Sequence, residues 1–123
     1  MKFQNYTITA LPLFFLHTLE EYYFNFINTD ALIGWLANMF DVSRTSTYWT
    51  VQILLYAFLL WLLLSRPASK AWYVILGIIL AVELGHLWEA LIGGSYVPGF
   101  VTAVPLVVLG VIFWKELLKK RIE

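Results

Sequence analysis

His17, Glu20 and Glu21 fall within one apolar stretch of the chain, and Glu83, His86 and Glu89 within another. Carboxylates and imidazoles are costly inside a membrane-length apolar segment, and by default they mark a functional site there. On a helix each residue turns about 100°, so Glu20 lies about 60° to one side of His17 and Glu21 about 40° to the other. Glu83, His86 and Glu89 recur at three-residue steps and form an adjacent ridge. Imidazole with carboxylate is ligand chemistry for zinc, iron or manganese. All six residues together give four carboxylates and two histidines, the complement of a two-metal helical site, with inward Glu-x-x-His pairs. A single zinc on His17, His86 and one glutamate is the simpler arrangement. It leaves a water as fourth ligand and a spare glutamate as general base.

These groups need helices to hold them, and the composition supplies helices of membrane type. The 123 residues are 61% hydrophobic and 13% charged, with a mean hydropathy of +0.77. Soluble domains run at about 45–50% apolar and about 25% charged, so the chain reads as an integral membrane protein. Its length fits one domain. With no cysteine, disulfides, thiolate metal sites and cysteine nucleophiles are excluded. Zero formal net charge argues against nucleic acid as a partner, because phosphates need a basic surface.

Four apolar stretches, about 6–26, 48–64, 71–92 and 100–118, predict an all-α four-helix membrane bundle. The first reads as a span and not as a removable signal peptide. Between the first two, Asp30 caps a periodic run of Ala31, Leu32, Trp35, Leu36, Met39 and Phe40, which predicts a short interfacial helix. Pro67 ends the second span. Lys2, Arg66, Lys70, Lys115, Lys119, Lys120 and Arg121 would lie on one side and Arg44 alone on the other, which places both termini in the cytoplasm. Spans one and three then run in the same direction. Glu20 and Glu21 lie roughly 20 Å along the first, and Glu83, His86 and Glu89 roughly 18, 22 and 27 Å along the third. The two clusters are therefore expected to meet in the outer half of the bilayer.

His17-Thr18-Leu19-Glu20-Glu21, a second histidine at His86 and Tyr96-Val97-Pro98-Gly99 occur in that order. Together they resemble the HXXEE-domain family of prokaryotic membrane proteins. The resemblance covers almost the whole chain. It implies that His17, Glu20, Glu21, His86, Tyr96, Pro98 and Gly99 belong to one site in a prokaryotic inner or plasma membrane. Glu83 and Glu89 join that set through spacing alone.

The expected function is a metal-dependent membrane enzyme. Its metal ligands would be drawn from His17, Glu20, Glu21, Glu83, His86 and Glu89, binding one or two ions (zinc, or iron or manganese). A metal-bound water would be the reactive species, with Glu20 or Glu21 moving its proton and Tyr96 donating to water or substrate. The substrate would be lipidic or membrane-soluble. Hydrolysis is slightly favoured over di-iron or di-manganese oxidation. The competing expectation is a proton- or divalent-cation-coupled transporter or channel, since intramembrane Glu and His chains also act as relays. Membrane lipid is the expected partner, and so small a bundle is also suited to a homodimer. Gln52, Tyr56 and Thr102 are candidates to orient the ligands.

Overall fold

The structure is a computed structural model, and it describes residues 2–122, with side chains over 3–119. The side chains of Lys2, Lys120 and Arg121, used above for orientation, lie outside the described residues. Among the described residues the chain is all helical: α1 (Lys2–Tyr23), α2 (Phe26–Thr29), α3 (Ala31–Phe40), α4 (Arg44–Ser65), α5 (Lys70–Val82), α6 (Leu84–Gly93) and α7 (Phe100–Ile122). Among the described residues three helical segments are long and apolar enough to cross a membrane: Arg44–Ser65, Lys70–Gly93 and Phe100–Lys119. This marks the chain as a membrane protein. α1 is as long as α4, but His17, Glu20 and Glu21 in its second half lower its hydropathy.

Capping residues set several of the helix ends. Asp30 accepts from the Ile33 amide at 2.9 Å and starts α3; Ser43 accepts from Ser46 at 3.1 Å and starts α4. Both satisfy amides that a helix start leaves without partners. Arg66 takes a left-handed conformation and ends α4 just before Pro67. At the opposite end of the molecule the Arg44 guanidinium donates to the carbonyls of Ile27 (3.1 Å) and Asp30 (3.0 Å), which fastens α2 and the start of α3 to α4.

α1 packs against α7 and α4, and α5 and α6 pack against α7. The end that holds the chain termini has an apolar core of Phe3, Phe14, Leu59, Leu62, Leu76, Leu80, Leu106 and Phe113. Phe3 stacks on Tyr73 there and meets Phe113 edge-on. The Trp114 indole donates to the Gly77 carbonyl at 2.9 Å. Gly77 leaves room for that ring, since a Cβ would fall 2.7 Å from it.

The stretch expected as one span over 71–92 is one apolar segment, Lys70–Gly93, with a tightened turn at Glu83 where α5 passes into α6. The Glu83 amide donates to the Leu80 carbonyl (3.3 Å), and the His86 amide donates to the Glu83 carbonyl (3.2 Å). Both are i→i+3 bonds, which tighten the helix towards 3₁₀ geometry, where residues three apart eclipse one another. Glu83 and His86 are therefore brought to one side of the segment, with Oε2 and Nε2 3.5 Å apart.

Candidate metal centre

α1 brings His17 and Glu21 to the interior one turn apart, and the tightened turn at Glu83 presents Glu83 and His86 to them. His17 Nε2 lies 3.5 Å from Glu21 Oε2 and 2.9 Å from Glu83 Oε2. His86 Nε2 lies 3.6 Å from Glu21 Oε2 and 3.5 Å from Glu83 Oε2. His17, Glu21 and Glu83 are buried, and His86 is nearly so. His17, Glu21 and His86 each offer a ligand atom within 4.8 Å of the others, a group that could hold a metal ion.

Two observations test whether metal suits these residues. A tetrahedral ion with bonds of about 2.1 Å separates its ligand atoms by about 3.4 Å, and three of the four distances fall at 3.5–3.6 Å. Glu83 Oε2 is buried with no hydroxyl or amide donor, and its nearest polar neighbour is His17 Nε2 at 2.9 Å. An orphaned buried carboxylate oxygen is strongly unfavourable without a compensating charge. A divalent cation would neutralise Glu21 and Glu83 together.

The next layer orients the ligands. His17 Nδ1 lies 2.8 Å from Thr102 Oγ1. The Thr102 hydroxyl donates to Glu20 Oε1 at 2.6 Å. With its proton given to the carboxylate, Thr102 Oγ1 is left to accept from His17 Nδ1–H. This fixes the tautomer that turns the Nε2 lone pair into the cluster, as hydrogen-bonded partners of ligating histidines do. Glu20 also accepts from the Thr102 amide (2.8 Å), the Val101 amide (3.2 Å) and the Tyr96 hydroxyl (2.5 Å). Its carboxylate therefore caps the start of α7, where a helix N-terminus favours negative charge. Tyr96 lies in the turn before α7. Desolvation, then its bond to Glu20 and that residue's charge, push its pKa up to about 12, so it stays a donor. On the other side, the fully buried Tyr48 of α4 donates to Glu21 Oε1 at 3.1 Å.

Gly99 ties the Tyr-Val-Pro-Gly turn to the cluster. Its φ is +92°, a region that glycine adopts without strain. A Cβ there would stand 2.8 Å from Cε1 of both His17 and His86. The two rings meet edge-on at 4.8 Å, with Gly99 against them, and Phe26 packs against His86 from α2 at 5.4 Å.

Of the six ligands expected from sequence, four converge. Glu20 instead faces α7, and serves His17 through Thr102. Glu89 is exposed and stays outside the cluster. Three-residue steps on an α-helix drift by about 60° each, which carries Glu89 about 120° away from Glu83. The tightened turn aligns Glu83 with His86 but does not extend to the next step. Tyr96 reaches Glu20 and not the cluster itself. Of the expected orienting residues, Thr102 contacts His17, whereas Gln52 (3.0 Å) and Tyr56 (2.7 Å) bond to Thr18. Tyr48 was not anticipated. An aromatic near the start of a span reads as an interfacial anchor, and the uniformly apolar pattern of α4 does not show which way it points.

A cavity of about 400 Å³ opens beside the cluster, lined by Phe14, Tyr48, Leu55, Phe58, Ile79 and the four converging residues among others. Beyond the cluster its walls are largely hydrocarbon.

No curated protein and no solved structure matches the chain. Residues 8–114 match the family model described as "Protein of unknown function with HXXEE motif". The matched region holds the entire cluster, the Thr102 bridge and the Tyr-Val-Pro-Gly turn. The chain belongs to the HXXEE family.

Proposed function

We propose that the protein is a metal-dependent integral-membrane hydrolase acting on a lipidic substrate, with one divalent ion, zinc by preference, held by His17, Glu21 and His86. The observation that carries this reading is the convergence of His17, Glu21 and His86, whose ligand atoms lie within 4.8 Å of one another, beside an apolar cavity. A single centre with Glu20 and Glu89 outside it favours one ion over two, and so favours hydrolysis over di-iron or di-manganese oxidation.

The bound ion would supply a Lewis acid that polarises a carbonyl or phosphoryl group and eases ionisation of water. The chain's own residues do the rest. Thr102 and Glu20 hold His17 in the ligating tautomer, and Tyr48 holds Glu21. Glu83 lacks any such anchor at Oε2, which suits it to take and return a proton as general base. The cavity positions an apolar substrate and keeps bulk water away.

The membrane setting follows the same reading. α1 completes a four-span bundle: Gln4, Thr7, His17, Thr18 and Glu21 turn inward, while Ile8, Phe15, Leu16 and Leu19 are exposed as lipid-facing residues are. Its 22 residues reach about 33 Å, enough for a hydrocarbon core of about 30 Å. α3 rests at the interface with Leu32, Trp35, Met39 and Phe40 outward. Both termini are cytoplasmic and the cluster lies in the outer half of the bilayer. The hydrocarbon wall at the far end of the cavity favours an enzyme over a conducting pathway.

The test is hydrolysis of fluorogenic acyl esters and phosphodiesters in mixed micelles by zinc-loaded protein. We expect zinc-dependent turnover that is lost in His17→Ala. Glu83→Gln should keep its metal and lose about 100-fold or more in rate. An unaffected Glu83→Gln rate contradicts the general-base role. Metal-driven cation flux in proteoliposomes without hydrolysis would favour a transporter instead.

A further inference from the structure

The cavity lies between α4 and α5 with α1 behind it, bounded by Phe26 and Ile33 of α2 and α3 near Tyr48 and Glu83, and reaching Phe58 and Ile75 at the other end. From Tyr48 to Phe58 is about 15 Å along the helix, the hydrocarbon depth of one leaflet, half of a core of about 30 Å. The volume of about 400 Å³ lies near the lower end of ligand pockets, roughly 300–1,000 Å³, room for one chain and not two. Beyond the far end, Trp61 of α4 meets Trp72 of α5 edge-on at 4.8 Å and draws the helices together. At the rim, Leu54, Ile75 and Val82 are exposed, so the slot opens sideways onto the apolar surface of these two helices. Its polar groups, Asp30 and Gln52 among them, gather towards one end, and Leu55, Phe58, Ile75 and Ile79 line the other. An unfilled apolar slot forfeits dispersion contacts on every wall, and in lipid the available filler is an acyl chain.

We infer that the slot between α4 and α5 receives one acyl chain of a membrane amphiphile from the adjacent leaflet, with its ester, amide or phosphoester linkage against His17, Glu21, Glu83 and His86. That the linkage is the reacting group rests on the enzyme reading; the seat of the chain rests on the slot itself. A helix from a second copy is too wide for the space and would meet two carboxylates at its inner end.

Photo-crosslinking tests this with the full chain in nanodiscs, using a lysophosphatidylcholine that carries a diazirine at mid-chain or chain end. Mid-chain labels should map to Leu55 and Ile79, and chain-end labels to Phe58 and Ile75. Ile79→Trp should fill the slot and cut labelling about tenfold. Ile75→Trp, at the far end, should lose chain-end labelling and keep labelling by a shorter chain. Two variants with opposite expectations separate blockage from misfolding. Labels scattered over all lipid-facing helices, labelling unchanged by Ile79→Trp, or crosslinks between two protein copies across α4 and α5 would overturn the inference. Metal content of the same samples keeps the readings apart. Bound metal with scattered labels sinks the slot alone, whereas slot labelling in protein that never binds metal sinks the enzyme alone.

Discussion

The two ends of this molecule are held together in different ways. Towards the termini, α1, α4, α5 and α7 meet through Phe3, Leu59, Leu76, Leu80 and Phe113, mainly by packing of hydrocarbon, with Gln4 and Trp114 each donating to one backbone carbonyl across helices. At the other end the same helices meet through His17, Glu20, Glu21, Thr102 and Tyr48, each bonded to a partner on another helix or poised against one. Lipid tails are as apolar as leucine, so shape complementarity and polar contacts, not the hydrophobic effect, draw helices together in a bilayer. The apolar end therefore supplies rigidity, and the polar end supplies orientation. A packing defect should cost stability at one end and metal affinity at the other.

Two glycines provide the sharpest break. Gly99→Ala would place a methyl 2.8 Å from both imidazoles at a positive φ. We expect it to displace the rings, abolish stoichiometric metal and cost about 1–3 kcal/mol in stability. Gly77→Ala would place a methyl 2.7 Å from the Trp114 ring. It should lower the denaturation midpoint and leave metal stoichiometry intact. Elemental analysis beside denaturant titration of both variants checks the pair, and equal metal loss in both would erase the contrast.

The orienting layer should give smaller, graded effects. Thr102→Val keeps the shape but removes the bridge from His17 to Glu20, and Tyr48→Phe removes the donor to Glu21. Each should weaken metal affinity by about 10–100-fold, and Thr102→Ser should restore it. Leu80→Ala, at a fully buried position of the apolar end, is the counterpart. It should cost about 2–5 kcal/mol in stability with affinity unchanged. Metal competition titrations separate these outcomes.

Tyr96 gives the smallest effect. Desolvation and the bond to Glu20 push its hydroxyl pKa up to about 12 from the ordinary 10.0. A raised pKa means that its contribution to stability is full below about 10 and fades as pH rises through about 12. The difference in ultraviolet titration between the wild type and Tyr96→Phe should show one tyrosine ionising at that high pH. Ionisation near 10 would show that the bond to Glu20 does not persist in solution.

Much of the site was legible because ionisable groups in apolar helices have so few ordinary explanations. His17, Glu21, Glu83 and His86 stood out on residue type, and their helical depths placed them together. Glu20 and Glu89 have the same chemistry and sit beside true cluster members in sequence, yet a rotation of 60–120° about a helix axis decides their roles. That rotation depends on which neighbour each helix faces, and on the tightened turn at Glu83. The first has no mark in the sequence, and the second has only Gly85, between Glu83 and His86. The short helix after Asp30 was readable because its cap and periodicity are local. Tyr48 and the slot between α4 and α5 were not, because they arise from how α4 leans against α1 and away from α5.

Everything at the polar end depends on whether His17, Glu21 and His86 hold a metal. The direct measurement is elemental analysis of detergent-purified protein after loading and removal of free metal, for the wild type, His17→Ala, His86→Ala and Glu20→Gln. The expected result is one divalent ion per chain in the wild type, none in either histidine variant, and a retained but weaker site in Glu20→Gln. A wild type that holds no metal under any loading condition, or histidine variants that hold as much as the wild type, would contradict the account.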